Sequence, residues 1–163
     1  MKTFLKKNNP ARGFMMIEIL IAVSIIVILI FTTMIVVQKG ISISRQSLYG
    51  TQASFLLEEG GESVRILRDN AWTNISNLSL STTYYPTFTG GTWTLTTTPN
   101  KVDSFTRTIT VSTVKRDATT GDIVSSSGVL DAGTKLITVN VSWQEEGQTM
   151  SKNLSFYLSN IFS

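Results

Sequence analysis

Gly13-Phe14-Met15-Met16-Ile17-Glu18 opens an apolar run that continues without Pro or Gly to Val37. Ahead of it, Lys2, Lys6, Lys7 and Arg12 form a short basic leader. Between Phe14 and Val37, Glu18 is the only ionisable side chain, and Ser24, Thr32 and Thr33 are the other polar ones. At helical rise, residues 14–37 span about 36 Å, enough to cross a hydrocarbon core of about 30 Å with some tilt. Lysine and arginine crowded on one side of such a segment place that side in the cytoplasm. Lipid enforces internal backbone hydrogen bonding, which outweighs the modest helix propensity of the Ile and Val residues.

A standard secretory signal has a shorter apolar core followed by a small-residue cleavage site. Met34 to Lys39 offers no such site. The small residue that invites cleavage is Gly13, before the run, so a cut there removes the leader and leaves the hydrophobic helix on the product. Glu18 then has two readings. In one it lies at headgroup level, where it favours the positive end of the helix dipole and costs less than the roughly 2.5–3.5 kcal/mol of a central carboxylate. In the other, the cut creates an α-amino group on Phe14, with an unperturbed pKa of about 7.7–8.0. An ammonium at a helix N-terminus in a low-dielectric layer needs a carboxylate, from its own chain or a neighbour's. At 4 Å and an effective dielectric of about 20, the pair attracts by about 4 kcal/mol before desolvation, enough to set axial register between parallel helices.

The leader ending in Arg12-Gly13, then Phe14-Met15-Met16-Ile17-Glu18 and an unbroken apolar helix, resembles the processing motif of bacterial type IV pilins and type II secretion pseudopilins. The match covers roughly residues 10–37. The resemblance implies cleavage after Gly13 by a prepilin peptidase, N-methylation of Phe14, and packing of Glu18 against the Phe14 amine of a neighbouring subunit. It implies other pilin or pseudopilin subunits and an inner-membrane assembly platform as partners, with the membrane as host before assembly. The helix lacks the proline that some major pilins carry in its second half.

From Gln38 the chain turns polar, yet Ile41, Leu48, Phe55, Leu56, Val64 and Leu67 recur at helical spacing, and Tyr49, Leu57 and Ile66 widen the stripe. This pattern predicts an amphipathic continuation over residues 38–70, ending near Asp69-Asn70, with Glu62 and Arg65 as an attractive i,i+3 pair. Gly40, Gly50 and Gly60-Gly61 each weaken a helix by about 1 kcal/mol relative to alanine. Close packing on a sheet explains them best; a flexible point used in extraction from the membrane is the other reading.

Residues 71–163 are rich in Thr, Ser, Asn and Gly and read as strands. Thr92 to Thr96 alternates, as does Phe105 to Val114, with Phe105, Ile109 and Val111 on one face. Ile137, Val139, Val141 and Trp143 share a face in the third run, and Leu154, Phe156 and Leu158 in the fourth. Such alternation predicts half-buried antiparallel strands, the last two joined by Glu145-Glu146-Gly147-Gln148. The expected fold class is α+β: a long N-terminal helix, membrane half plus amphipathic half, packed on a four-stranded antiparallel sheet. The resemblance implies the same fold. Tyr84-Tyr85-Pro86 through Gly90-Gly91 reads as an exposed turn-rich segment, and Asp117 to Gly133 as a long loop suited to a partner. Within that loop Asp117, Asp122 and Asp131 are weak calcium candidates, by analogy with a loop in some pseudopilins. They lack EF-hand spacing, and three aspartates in a loop are usually turn formers. Sequons at Asn74, Asn77, Asn140 and Asn153 are discounted, the last two because they lie within predicted strands. The pattern from Val139 to Leu158 faintly resembles minor pilins and one class of minor pseudopilins.

Composition narrows the function further. Four of the 14 Lys+Arg precede Gly13, which leaves 10 basic against 11 acidic side chains in residues 14–163, a formal −1. The trimmed chain therefore lacks the basic excess of a nucleic-acid binder. Lys115-Arg116 with Arg107, and Arg65 with Arg68, read as solvated surface charge. Neither cysteine nor histidine is present, so thiolate and imidazole chemistry, disulfides and their usual metal sites are excluded. No cofactor is implied, and no enzyme motif stands out. The expected role is a structural subunit, minor pilin or pseudopilin: a single-pass inner-membrane precursor with an extracytoplasmic C-terminal domain, trimmed and packed into a filament. The alternatives are a membrane-anchored extracytoplasmic binding module that does not polymerise, or a component of a DNA-uptake filament.

Overall fold

A computed structural model describes the backbone of residues 11–162 and the side chains of residues 15–162. The fold is α+β, as expected: a long N-terminal helix with antiparallel sheets. Helix α1 runs from Ala11 to Asn70, so it begins within the expected leader, directly after Pro10, and ends at the expected Asn70. The chain divides into two compact units, Met1–Ser47 and Leu48–Ser163.

The second unit holds the hydrophobic core. After α1 comes one short helical turn, α2 (Thr73–Ser76), whose Ile75 is fully buried. Seven strands follow: β1 (Tyr85–Thr89), β2 (Thr92–Thr96), β3 (Lys101–Val102), β4 (Phe105–Arg116), β5 (Ile123–Val124), β6 (Val129–Glu145) and β7 (Gln148–Ser159). The main sheet has the order β3-β4-β6-β7, with β5 added to β4, and all its pairings are antiparallel. Its main path has the expected number of strands but different membership. Thr92–Thr96 is not in it; it pairs with Tyr85–Thr89 in a separate two-stranded sheet. The reason lies in Tyr84 to Gly91: Tyr85–Thr89 is a strand with Pro86 buried in it, while Phe88 to the Gly90-Gly91 turn is exposed as expected. Threonine-rich alternation marks strands equally well in either sheet and says nothing of the neighbour chosen.

Strands β4 and β6 alternate cleanly. Phe105, Arg107, Ile109 and Val111 of β4 are buried against Ile137, Val139, Val141 and Trp143 of β6. A register shift between Thr113 and Val114 moves burial to Val114, as a bulge does by inserting unpaired residues in the partner strand. Beyond it, the expected loop from Asp117 to Gly133 is partly ordered as β5 and the start of β6. The Glu146-Gly147 turn joins β6 to β7 as expected, both residues having positive φ (49° and 80°). That is the type I′ signature, whose twist matches the flanking strands.

The core unites Ala53, Leu57, Val64 and Leu67 of α1 with Ile75, Tyr84 and the inward residues of β4 and β6; Leu158 joins from β7. Asn140 and Asn153 lie within β6 and β7, directly opposite one another.

Candidate functional site

The first unit presents the membrane-length half of α1. Its large apolar side chains from Met15 to Val37 are 43–77% exposed, and this stretch is long and apolar enough to cross a membrane. Its polar interruptions are silenced internally. Ser24 Oγ donates to the Leu20 carbonyl (2.7 Å), Thr32 Oγ1 to that of Ile28 (2.8 Å) and Thr33 Oγ1 to that of Leu29 (2.7 Å). In lipid a hydroxyl that bonds one turn back leaves no unsatisfied donor. Glu18 is exposed and has no hydrogen-bond or ion-pair partner among the described residues. Gly13 and Phe14 lie on α1, but the Phe14 side chain, like residues 1–10, lies outside the described residues. Gly13, Phe14 and Glu18, the residues singled out by the sequence, thus all lie on α1.

In the second unit, α1 carries two apolar faces where the sequence suggested one wide stripe. The inner face is Ala53, Leu57, Gly60, Val64 and Leu67, all buried. Leu48, Phe55 and Ile66 belong to a second face, 55%, 67% and 42% exposed. At 3.6 residues per turn these three fall within about 20° of one another, roughly opposite the buried stripe. Ile41, which the sequence placed on the same stripe, is exposed in the first unit. Hydropathy alone cannot separate the faces, because the helical pattern shows which residues are apolar and not which side meets the sheet.

Gly60 and Gly61 sit where α1 meets the sheet, as the packing reading expects. A Cβ on Gly60 would lie 2.7 Å from Val139 Cγ1 and 3.1 Å from Arg107 Cδ; one on Gly61 would touch Phe156 and Leu154 at ordinary distance. Gly50 is held differently: Lys152 Nζ of β7 donates to its carbonyl (2.9 Å) and to Ser54 Oγ (3.1 Å). A Cβ on Gly40 would meet nothing within 4 Å, so packing does not explain that glycine.

Arg107 overturns the expectation of a solvated cation. It lies on the inward face of β4, 4% exposed, and donates from Nη1 to Glu59 Oε2 (2.6 Å) and the Leu56 carbonyl (3.5 Å). Its guanidinium also stacks over the Trp93 ring, 5.4 Å from the centroid, which ties the β1–β2 hairpin to α1. Strand alternation places residue 107 inward regardless of its charge. Arg65 pairs with Glu62 as expected and covers the Phe156 ring. Arg68 pairs with Asp69 (2.8 Å).

The three aspartates of the 117–133 segment are not gathered into one site, and no metal-holding group of carboxylates occurs among the described residues. Asp117 Oδ1 accepts from the backbone N–H groups of Thr119 (2.8 Å) and Thr120 (2.9 Å). Those bonds, Thr120 first, hold its carboxyl below the ordinary range. Asp131 accepts from Arg116 Nε (2.6 Å) and from the Gly133 N–H (2.9 Å), and the Arg116 bond is the main cause of its lowered pKa. These two are turn-building carboxylates, the competing reading of the loop. Arg116, read as surface charge, is the organiser of that segment through Asp131, the Gly121 carbonyl and Thr134.

Comparisons with protein-family models, with curated proteins and with solved structures give no match for this chain.

Proposed function

We propose that this chain is a structural subunit, a minor pilin or pseudopilin, of a type IV pilus-like filament or a type II secretion pseudopilus. The observation that carries the reading is the order of residues at the start of α1: basic leader, Gly13, Phe14, Glu18, then an uninterrupted apolar helix. Two further features support it. The apolar side chains of Met15–Val37 lack cover among the described residues, which suits a segment that first sits in lipid and later among other helices. The exposed Leu48, Phe55 and Ile66 face extends apolar surface along the extracytoplasmic part of α1, which suits packing against a neighbouring subunit.

The mechanism follows from electrostatics. A prepilin peptidase cuts after Gly13 and exposes the Phe14 amine, which becomes N-methylated. Glu18 of one subunit then offers a carboxylate to the amine of the next, and that pair fixes axial register while apolar packing supplies most of the assembly energy. Before the cut no amine exists, so the precursor waits in the inner membrane with its sheet domain outside the cytoplasm.

Substituting Gly13 by a bulky residue is expected to leave the leader attached, which electrophoresis or N-terminal sequencing detects; normal trimming would defeat the reading. Glu18→Ala is expected to insert in membrane normally and to be depleted from sheared filaments. A chain that stays with the membrane fraction in both wild-type and variant cells is instead the non-polymerising anchored module.

A further inference from the structure

The two edges of the main sheet are finished differently. On the outer side of β4, short pieces cover the edge: β3 at Phe105–Thr106, the Tyr84↔Ile109 bridge, the Ser81 N–H on the Val111 carbonyl, and β5 at Lys115–Arg116. On the other side β7 pairs with β6 and with no other strand among the described residues. Long open edges are normally guarded by Pro, bulges or several charges. β7 runs in unbroken register from Gln148 to Ser159, without Pro or Gly, and its single charge, Lys152, is turned toward α1 and bonded to Gly50 and Ser54.

The hairpin fixes which backbone groups are free. In a two-residue type I′ hairpin the closing pair, here Glu145 and Gln148, exchanges both hydrogen bonds, and every second pair after it does the same. Even-numbered residues of β7 therefore bond to β6, and the Asn160 N–H on the Gly133 carbonyl agrees with that parity. The N–H and C=O groups of Thr149, Ser151, Asn153, Ser155, Tyr157 and Ser159 point away from the sheet. Their side chains form an uncharged row on the outer face. On the helix-side face, Leu154 is 38% exposed and Met150 and Phe156 are half-buried, so apolar cover is incomplete there.

We infer that the β7 edge is a strand-addition site for an extended polypeptide segment, apolar at alternate positions and uncharged at the positions between. Apolar residues of the added strand lie opposite Leu154 and Phe156 and complete their cover. Uncharged polar residues lie opposite Ser151, Asn153 and Ser155, where they exchange backbone hydrogen bonds. A charge on the added strand opposite Leu154 would face apolar surface, and one opposite Ser151, Asn153 or Ser155 would face an uncharged row.

The test uses the full chain in detergent micelles and a fluorescent synthetic heptapeptide that copies Leu136 to Ser142, which has this alternation and no charge. Saturable binding is expected, with a composition-matched shuffled peptide failing to bind. N-methylation of the peptide at the residues copying Thr138, Asn140 and Ser142 removes the amides that face β7 and should weaken binding about tenfold or more. N-methylation at those copying Ile137, Val139 and Val141 should leave it nearly unchanged. Asn153→Pro, which removes one outward N–H and no bond to β6, should weaken binding of the unmodified peptide; Thr108→Ala, on the same outer face but away from the edge, should not. Absent binding, equal effects of the two methylation patterns, or a β7-to-β7 dimer that excludes the peptide would each overturn the inference.

Discussion

Helix α1 contains two kinds of apolar surface within one secondary-structure element. Ile28, in the membrane-length half, is 62% exposed, whereas Val64, in the sheet-packed half, is fully buried. Both belong to apolar helical patterns, and neither residue type nor helix propensity tells them apart. The difference lies in what covers each. Val64 shares a core with Ile109 and Val139, and its burial contributes to folding of the second unit. Ile28 has no such cover among the described residues, and folding of the second unit leaves its apolar surface exposed. Its neighbours Thr32 and Thr33 bond back to the helix carbonyls, which prepares the segment for a solvent without hydrogen-bond partners.

Matched substitutions sharpen that contrast. Ile137→Ala, at a fully buried core position, should destabilise the second unit by about 2–5 kcal/mol. Ile28→Ala should leave the same unfolding transition within about 0.5 kcal/mol. Denaturant unfolding followed by tryptophan fluorescence, with the full chain in detergent, measures both, and equal losses would break the distinction. Next in size, Gly60→Ala drives a Cβ against Val139 and Arg107 and should cost about 1–3 kcal/mol in the same assay. Gly40→Ala has open space around it and should instead add about 1 kcal/mol of helix stability, seen as slower amide exchange in residues 36–44. If both glycine variants behave alike, close packing is not the reason for Gly60.

The smallest effect concerns pH. Asp131 has a folded pKa below its ordinary value of 3.8, so it contributes stability that is present above about 3.8 and lost as pH falls through the lowered folded value. Amide exchange in residues 117–134 should therefore rise below that point while the α1–sheet core is unaffected. Asp131→Asn should abolish the part of this change that falls around residues 129–134 and leave the part that Asp117 holds at Thr119 and Thr120; an unchanged profile at 129–134 would count against the Arg116 pairing.

Much of the fold is legible from residues alone. The apolar run, its length and its isolated carboxylate mark a membrane-length helix because lipid thickness and the cost of charge leave few other readings. Period-two patterning locates β4, β6 and β7, and Glu146-Gly147 locates the hairpin between the last two. The strand at Tyr85–Thr89 is hidden because Pro86 and Gly90-Gly91 read as breakers. Pro86 sits in a two-stranded sheet, where a missing N–H is tolerated, and the glycines form the turn. Arg107 is hidden as a core residue because charge usually marks solvent; its inward parity with Phe105 and Ile109 is the available signal.

The amino-acid sequence by itself determined the long helix and the strands β2, β4, β6 and β7, which end of the chain suits a membrane, and where Gly13, Phe14 and Glu18 fall relative to one another. These are local matters of period, length and order along the chain. Only the tertiary structure decided which apolar face of α1 the sheet covers, that Gly60 is required by Val139, and that Arg107 is buried against Glu59. It also decided that β4's outer edge is tiled while β7's is open. Those outcomes depend on which surfaces meet, and pairing between segments far apart in sequence is not written in the periodicity of either one.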